Sequence, residues 1–339
     1  YPDILLPTLA DHYFKHGEYY NSYMTYLDWA NKGFFNAKKW LSFSNSLRIE
    51  ESYSLSAKAY QFALKKDLKV YQLGEALLGL AKTFEDQISP IEKNDIIPFF
   101  YNDNLFFEDA FQVYSKISPV NLRSSLSIYD SVLVSIPESA LITEAQFRLA
   151  EIQYRIIEDF DKASNLYIAA LSENPPLELK KKIILRIGDV LLAKGDYIKS
   201  ISFLDSVYNI YKIPEIKNKL VEMHLFSGNP DTALSIINDI FLTLSPLNNT
   251  FNDLMEIRDI INHYYIESDE NNKNAFKKFL KSEFLLKQRK ITEACQLLDY
   301  IIKNNTGLQL TPLISLRRAI LLMRLKNFEE TFIQLQSIE

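Results

Sequence analysis

One pattern of small and aromatic residues returns along the chain at a spacing of about 34 residues, and a fixed period of this size marks a stacked array of helix pairs. Its fullest copy runs Phe147, Tyr154, Phe160, Ala163, Tyr167, Ala170 and Pro175. The same offsets hold Trp40, Leu47, Tyr53, Ser56, Tyr60 and Ala63, and again Leu6, Tyr13, Tyr19, Ser22, Tyr26 and Trp29. Each pair leaves an apolar face that only its neighbours can cover, so stability comes from stacking. The pattern specifies architecture and says nothing of the partner.

Composition agrees with an all-α chain. Eight glycines and twelve prolines in 339 residues are too few for a protein built on tight β-turns, and the 20 Tyr and 22 Phe recur at helical spacing. The charge balance, 38 basic against 43 acidic residues for a net −5, is well interspersed. Binding a phosphate backbone needs a concentrated basic face. The densest basic run, Lys180-Lys181-Lys182, opens a helix and fits a solvated face. No apolar run reaches the roughly 18 residues of a membrane span. A single cysteine, Cys295, excludes an intrachain disulfide and a cysteine-based zinc site, and its flanks make it a buried small hydrophobe.

The repeats resemble the tetratricopeptide repeat, including the copies found in bacterial envelope proteins, of which Asp159-Phe160-Asp161-Lys162-Ala163 is an example. The resemblance implies a right-handed α-solenoid of about eight to nine antiparallel helix pairs. A small residue on each helix lets the two backbones approach, and aromatics and leucines one turn away fill the gap between pairs. The first repeat covers roughly 3–36, with Ala10 and Ser22 small and Gly17 at the turn. The second covers roughly 37–70, with Ser44 and Ser56. Further repeats follow at about 144–178, at 181–213 with Gly188, Gly195 and Ser200, and at a turn Gly228-Asn229-Pro230-Asp231. The last two carry Ser282, Ala294 and Leu298, then Ala319, Leu322 and Leu335.

Two stretches break the period. A first helix over 74–84 runs into a segment where Pro90 and Pro98 forbid a continuous helix. Helices resume at 105–114 and 122–134, which pair either with each other or, for the former, with 74–87 across an insertion. The second irregularity is an amphipathic helix over 251–266 with no partner, followed by a polar loop. The expected organisation is therefore a solenoid over 1–247 with an irregular insertion near 88–104. An extra helix and loop over 248–274 form a candidate hinge, and uncapped repeats cover 275–339. Both ends of the sequence look cut. Composition and the absent initiator methionine favour a periplasmic or cell-envelope setting over the cytoplasm.

No phosphate loop, dinucleotide fingerprint or nucleophile elbow occurs. His12 and His16 lie four apart on one helix, with no third metal ligand in view. His224 sits at an inter-helix packing position, and His263 has no visible carboxylate companion. The expectation is a protein with no catalytic residues, no metal and no cofactor.

In the tetratricopeptide family, ligands lie along the concave surface lined by the first helix of each pair. Carried onto this sequence, that lining includes Arg148, Ile152 and Arg155, then Leu185, Asp189 and Leu192, then Asn218, Glu222 and Leu225. It ends in Phe276, Phe279 and Glu283, and in Leu313, Leu316, Ile320 and Met323, so its C-terminal part is apolar. The set of Lys, Asn and Arg with which chaperone-binding members grip a terminal carboxylate is not restored here. Ile97, Phe99, Phe100 and Tyr101 in the insertion form a second candidate, a docking loop. The expected function is a non-catalytic scaffold that binds a protein segment in the groove. The alternatives are a recruiting or regulatory segment of a larger enzyme, and a structural subunit that self-associates through its C-terminal end.

Overall fold

The computed structural model describes residues 2–88, 117–136, 140–304, 307–336 and 338. Among them every regular element is helical. The helices form two compact bodies, of which the first ends at Pro176 and the second begins at Leu177. The border that compactness draws thus falls after Pro176, while residues 251–261 of the expected hinge region supply core side chains to the second body.

The first body holds α1 (Pro2–Lys15), α2 (Tyr19–Trp29, continued by a π-helical turn Ala30–Phe34), α3 (Ala37–Ile49) and α4 (Tyr53–Ala63). It continues with α5 (Val70–Glu85), α6 (Pro119–Ser135), α7 (Ala140–Ile152, continued by a π-helical turn Gln153–Ile157) and α8 (Phe160–Ser172). Consecutive helices pack as four pairs. In the first pair the Phe14 and Tyr19 rings meet beside the turn while Ala10 and Ser22 meet further along, so the two helices are antiparallel.

The recurring small residues do more than make room. Ser22 Oγ donates to the Ala10 carbonyl at 2.7 Å and Ser56 Oγ to the Ser44 carbonyl at 2.9 Å, each 12 residues back. A buried hydroxyl must find a partner, and here it ties the second helix of a pair to the first. The bond recurs in the second body, where Ser200 Oγ donates to the Gly188 carbonyl at 3.1 Å.

The same bond settles the register that the sequence leaves open. Ser125 Oγ on α6 donates to the Ala81 carbonyl of α5 at 3.3 Å, across 44 residues instead of 12. Ser118 N–H donates to the Ile88 carbonyl at 2.7 Å and Asn121 Nδ2 to that of Gln87 at 2.9 Å. The third pair among the described residues is therefore α5 with α6, a pairing neither expectation included, and the expected helix at 105–114 lies outside the described residues. A spacing rule tuned to 12 residues cannot find a pair whose helices are separated by an insertion. Residues 89–116, with the candidate docking loop Ile97, Phe99, Phe100 and Tyr101, lie outside the described residues.

The second body holds α9 (Leu177–Ala193), α10 (Tyr197–Tyr211), α11 (Pro214–Phe226), α12 (Pro230–Phe241) and α13 (Phe251–Ile261, continued by a π-helical turn Asn262–Ile266). Beyond these come α14 (Glu270–Lys287), α15 (Ile291–Asn304), α16 (Thr311–Arg324) and α17 (Phe328–Gln336). The pairs are α9 with α10, α11 with α12, α14 with α15 and α16 with α17. Helix α13 is the extra element, and it buries Leu254, Ile257, Ile260 and Ile261 in the core shared by α12 and α14.

Among the described residues, seven of the eight helix pairs turn through one left-handed residue at an equivalent position. Gly17, Gly195 and Gly228 take φ of 76°, 83° and 85°; Glu51, Glu158, Arg289 and Lys326 take 57°, 62°, 66° and 59°. The next residue then donates its N–H five residues back, as Glu18 does to Tyr13 and Asp196 to Leu191, or six back after the π-helical turn, from Asp159 to Gln153, closing the last turn of the first helix. Among the described residues the fold is an all-α array of stacked helix pairs.

Candidate protein-binding surface

Several charged residues of the first helices meet one another. In the second body, Asp189 of α9 accepts from Lys219 Nζ of α11 at 2.6 Å and from Arg186 Nη1 at 3.0 Å. Lys219 also binds Glu222, whose other oxygen lies 3.1 Å from Lys287 Nζ of α14. Glu283 of α14 then takes Arg317 of α16 through two bonds, of 2.8 and 2.6 Å. A chain of charges thus links the first helices from α9 to α14, and a second pair links α14 to α16.

These groups are buried, with 8% of the Asp189 side chain exposed and 1% of Glu283 and of Arg317. Burial alone would raise the Asp189 carboxyl, but Lys219 and Arg186 outweigh it and hold the group at about 2. Burial would lower Lys219, and Asp189 with Glu222 raises it instead. The first body repeats the theme. Arg48 of α3 reaches Asp86 beside α5 at 2.6 Å, Lys82 of α5 binds Glu144 of α7, and Arg148 of α7 lies 3.4 Å from Glu85. Burial pushes the Glu85 carboxyl up, although Arg148 and the Tyr129 hydroxyl that donates to it act the other way.

The expected groove changes accordingly. Phe276 and Phe279 have no exposed surface: they stack on each other at 6.3 Å, and Tyr264 and Tyr265 from the turn after α13 cover Phe276. Ile152 is 2% exposed among the core residues of α6 and α7. Asp189 is committed to its ion pairs. These four do not line an open surface, because the extra helix and the neighbouring first helices close over them. Arg148 and Arg155 remain partly exposed, the latter paired with Glu151 at 2.8 Å, and Leu185, Leu316, Ile320 and Met323 are half-buried.

Among the described residues, one opening on the first-helix side is a cleft of about 400 Å³ between α1 and α3. Phe14, Tyr26 and Phe43 make its floor, with Tyr26 and Phe43 at 4.4 Å and Phe14 and Phe43 at 6.1 Å. Asp11, Asn36, Lys38, Lys39, Ser42 and Ser46 make its rim. Asp11 accepts from the Tyr26 hydroxyl and lies 3.7 Å from Lys39 Nζ, which sits over the Tyr26 ring at 5.5 Å. Burial, then the Asp11 bond, raises the Tyr26 hydroxyl far above its ordinary range, so it stays a neutral donor. Lys38 and Ser42 are exposed.

A second cleft, of about 600 Å³, lies along α13 and is lined by Asn252, Asp253, Glu256, Asp259, Ile260, His263 and Tyr264. His263 therefore does have carboxylates beside it, placed by helical spacing on its own element. Among the described residues no three His, Cys, Asp or Glu side chains gather as a metal site would require. The His12 and His16 rings lie 4.2 Å apart, tilted by 42°, and His16 Nδ1 engages the His12 carbonyl. Cys295 is buried, and burial raises its thiol.

Sequence reasoning missed Lys219, Lys287 and Arg317. A signal for two of them exists. Asp189 and Glu283 each lie six residues before the left-handed turn residue of their pair, Gly195 or Arg289, and Lys219 and Arg317 nine residues before that of the following pair, Gly228 or Lys326, so a complementary pair recurs in register.

No protein-family model matches the sequence, and no curated protein does. Among solved structures the chain is similar to a tetratricopeptide repeat protein from Parabacteroides merdae, at 14% identity over 82% of this chain and 96% of that one, with a TM-score of 0.46. It is also similar to a thermophilic tetratricopeptide protein of Thermus thermophilus, at 16% identity over 66% and 98%, with a TM-score of 0.37. A third similarity is to IFIT1 with m7Gppp-AAAA, at 14% identity over 97% and 80%, with a TM-score of 0.33.

Proposed function

We propose that this chain is a non-catalytic scaffold that binds a segment of another protein, seated in the cleft between α1 and α3. The open cleft carries the proposal, because it lies on the side where the first helices elsewhere spend their charges on one another. Its three rings offer an apolar floor for one or two side chains. The serines, Asn36 and the two lysines of the rim offer donors and acceptors for the backbone of an extended peptide.

Photo-crosslinking tests it. Benzoylphenylalanine in place of Lys38 should trap a defined protein in the cells that make the chain, and Ser42→Trp, which fills the cleft, should abolish that adduct. No protein adduct, or the same adduct with the cleft filled, contradicts the proposal.

A second reading, self-association, is favoured by one observation. Phe328, Phe332, Ile333 and Leu335 of α17 are 66%, 63%, 60% and 41% exposed along a short helix. Apolar faces of this kind mark contact surfaces. Sedimentation velocity over a wide concentration range decides: a monomer throughout rejects self-association.

A further inference from the structure

Three helix ends of the second body converge at the turn from α10 to α11. Helix α10 closes on Lys212 in the left-handed conformation, at φ 52° and ψ 36°, with its N–H donated to the Tyr208 carbonyl at 2.9 Å. The ammonium groups of Lys212 and Lys217 both lie over the Tyr208 ring, at 5.1 and 5.5 Å from its centre. Lys180, in the first turn of α9, lies over the Tyr211 ring at 5.2 Å. Lys181 is answered by Glu178 at 3.3 Å and Glu215 at 3.7 Å. Helix α11 begins after Ile213, which supplies no side-chain cap to the first-turn amides.

Two cations drawn to one ring stand at most about 11 Å apart and repel, and an anion placed between them relieves that repulsion. Beside them Ile210 is 71% and Tyr211 46% exposed, so apolar contact is available at the same spot. Glu178 and Glu215 border the patch and would oppose a continuous phosphate backbone. Isolated carboxylates on a flexible segment could avoid them.

We propose that Lys212 and Lys217, with Tyr208, Ile210 and Tyr211, form a docking surface for an acidic peptide segment that carries an aromatic residue. The proposal rests on the scaffold function and adds a surface distinct from the cleft between α1 and α3. Carboxylates of the segment bind the lysines, and its ring lies against Ile210 and Tyr211. Affinity is largely electrostatic and falls with salt.

The probe is a fluorescein-labelled octapeptide of seven glutamates around one phenylalanine, titrated with the full chain and followed by anisotropy. Lys212→Gly removes a cation while keeping the left-handed turn, and combined with Lys217→Gln it should weaken binding about tenfold or more at low salt. Lys217→Gln alone, in a helix and without turn chemistry, should weaken it severalfold with circular dichroism unchanged. Ser42→Trp should leave it unaltered, which separates failure of this surface from failure of the cleft. The proposal is overturned if the peptide does not bind, or if the Lys217→Gln protein binds it as the native chain does. Tighter binding of a 20-nucleotide single strand, or of phosphatidylserine vesicles, than of the peptide also overturns it.

Discussion

Arg317 on α16 and Glu283 on α14 meet through two bonds, of 2.8 and 2.6 Å, with 1% of either side chain exposed. The pair joins the first helices of the last two helix pairs. Removing water from both charges is costly, and only matched geometry offsets it. Glu283, which resemblance assigns to the groove, here holds two repeats together.

Replacing Arg317 by Met should therefore destabilise the second body by about 3–5 kcal/mol, because Glu283 stays buried without its partner. Pairing that change with Glu283→Leu should restore most of the loss. Urea denaturation followed by circular dichroism measures both. A single-variant cost below about 1 kcal/mol would show the pair to be open to water.

Gly79→Ala should destabilise the first body by about 1–3 kcal/mol through overpacking. A Cβ built there would lie 2.2 Å from Tyr60 Cζ and 2.4 Å from its hydroxyl oxygen. Tyr60→Leu in the same chain should recover part of that cost, since it removes the ring. Thermal melts of the three variants check the coupling.

The turn residues should respond in opposite directions. Glu158 takes φ 62° with an ordinary side chain, so Glu158→Gly should raise stability by up to about 1 kcal/mol. Gly228→Ala, at φ 85°, should lower it by about as much. Equal melting temperatures for all three proteins would deny that these turns are strained.

Acid should weaken the second body through Asp189. Its folded carboxyl titrates at about 2, below the ordinary aspartate value near 3.9, so its contribution is complete above pH ~4 and is lost as pH falls towards ~2. Asp189→Asn should lower stability at pH 7 and flatten the decline over that acid range. Unfolding at a series of pH values compares the two slopes.

Much of the fold is legible in the sequence because small residues and aromatics return at helical offsets. Ser22, Ser56 and Ser200 are recognisable as packing positions, and the structure adds the carbonyl that each one binds. Pairing across 44 residues is not legible, since Ser125 lies where no offset of 12 leads. The turns at Glu51, Glu158, Arg289 and Lys326 are equally hidden, because sequence flags left-handed turns chiefly through glycine and asparagine. The groove suffers most. Resemblance assigns Phe276 and Phe279 to an open lining, whereas the tyrosines after α13 cover Phe276.

The most direct test of the scaffold account is hydrogen–deuterium exchange on the full chain, with and without the protein trapped by crosslinking at Lys38. The account predicts slowed exchange over 11–14 and 36–46, with α14 and α16 unchanged. Protection confined to α14 and α16, with the cleft between α1 and α3 exchanging as before, would contradict it.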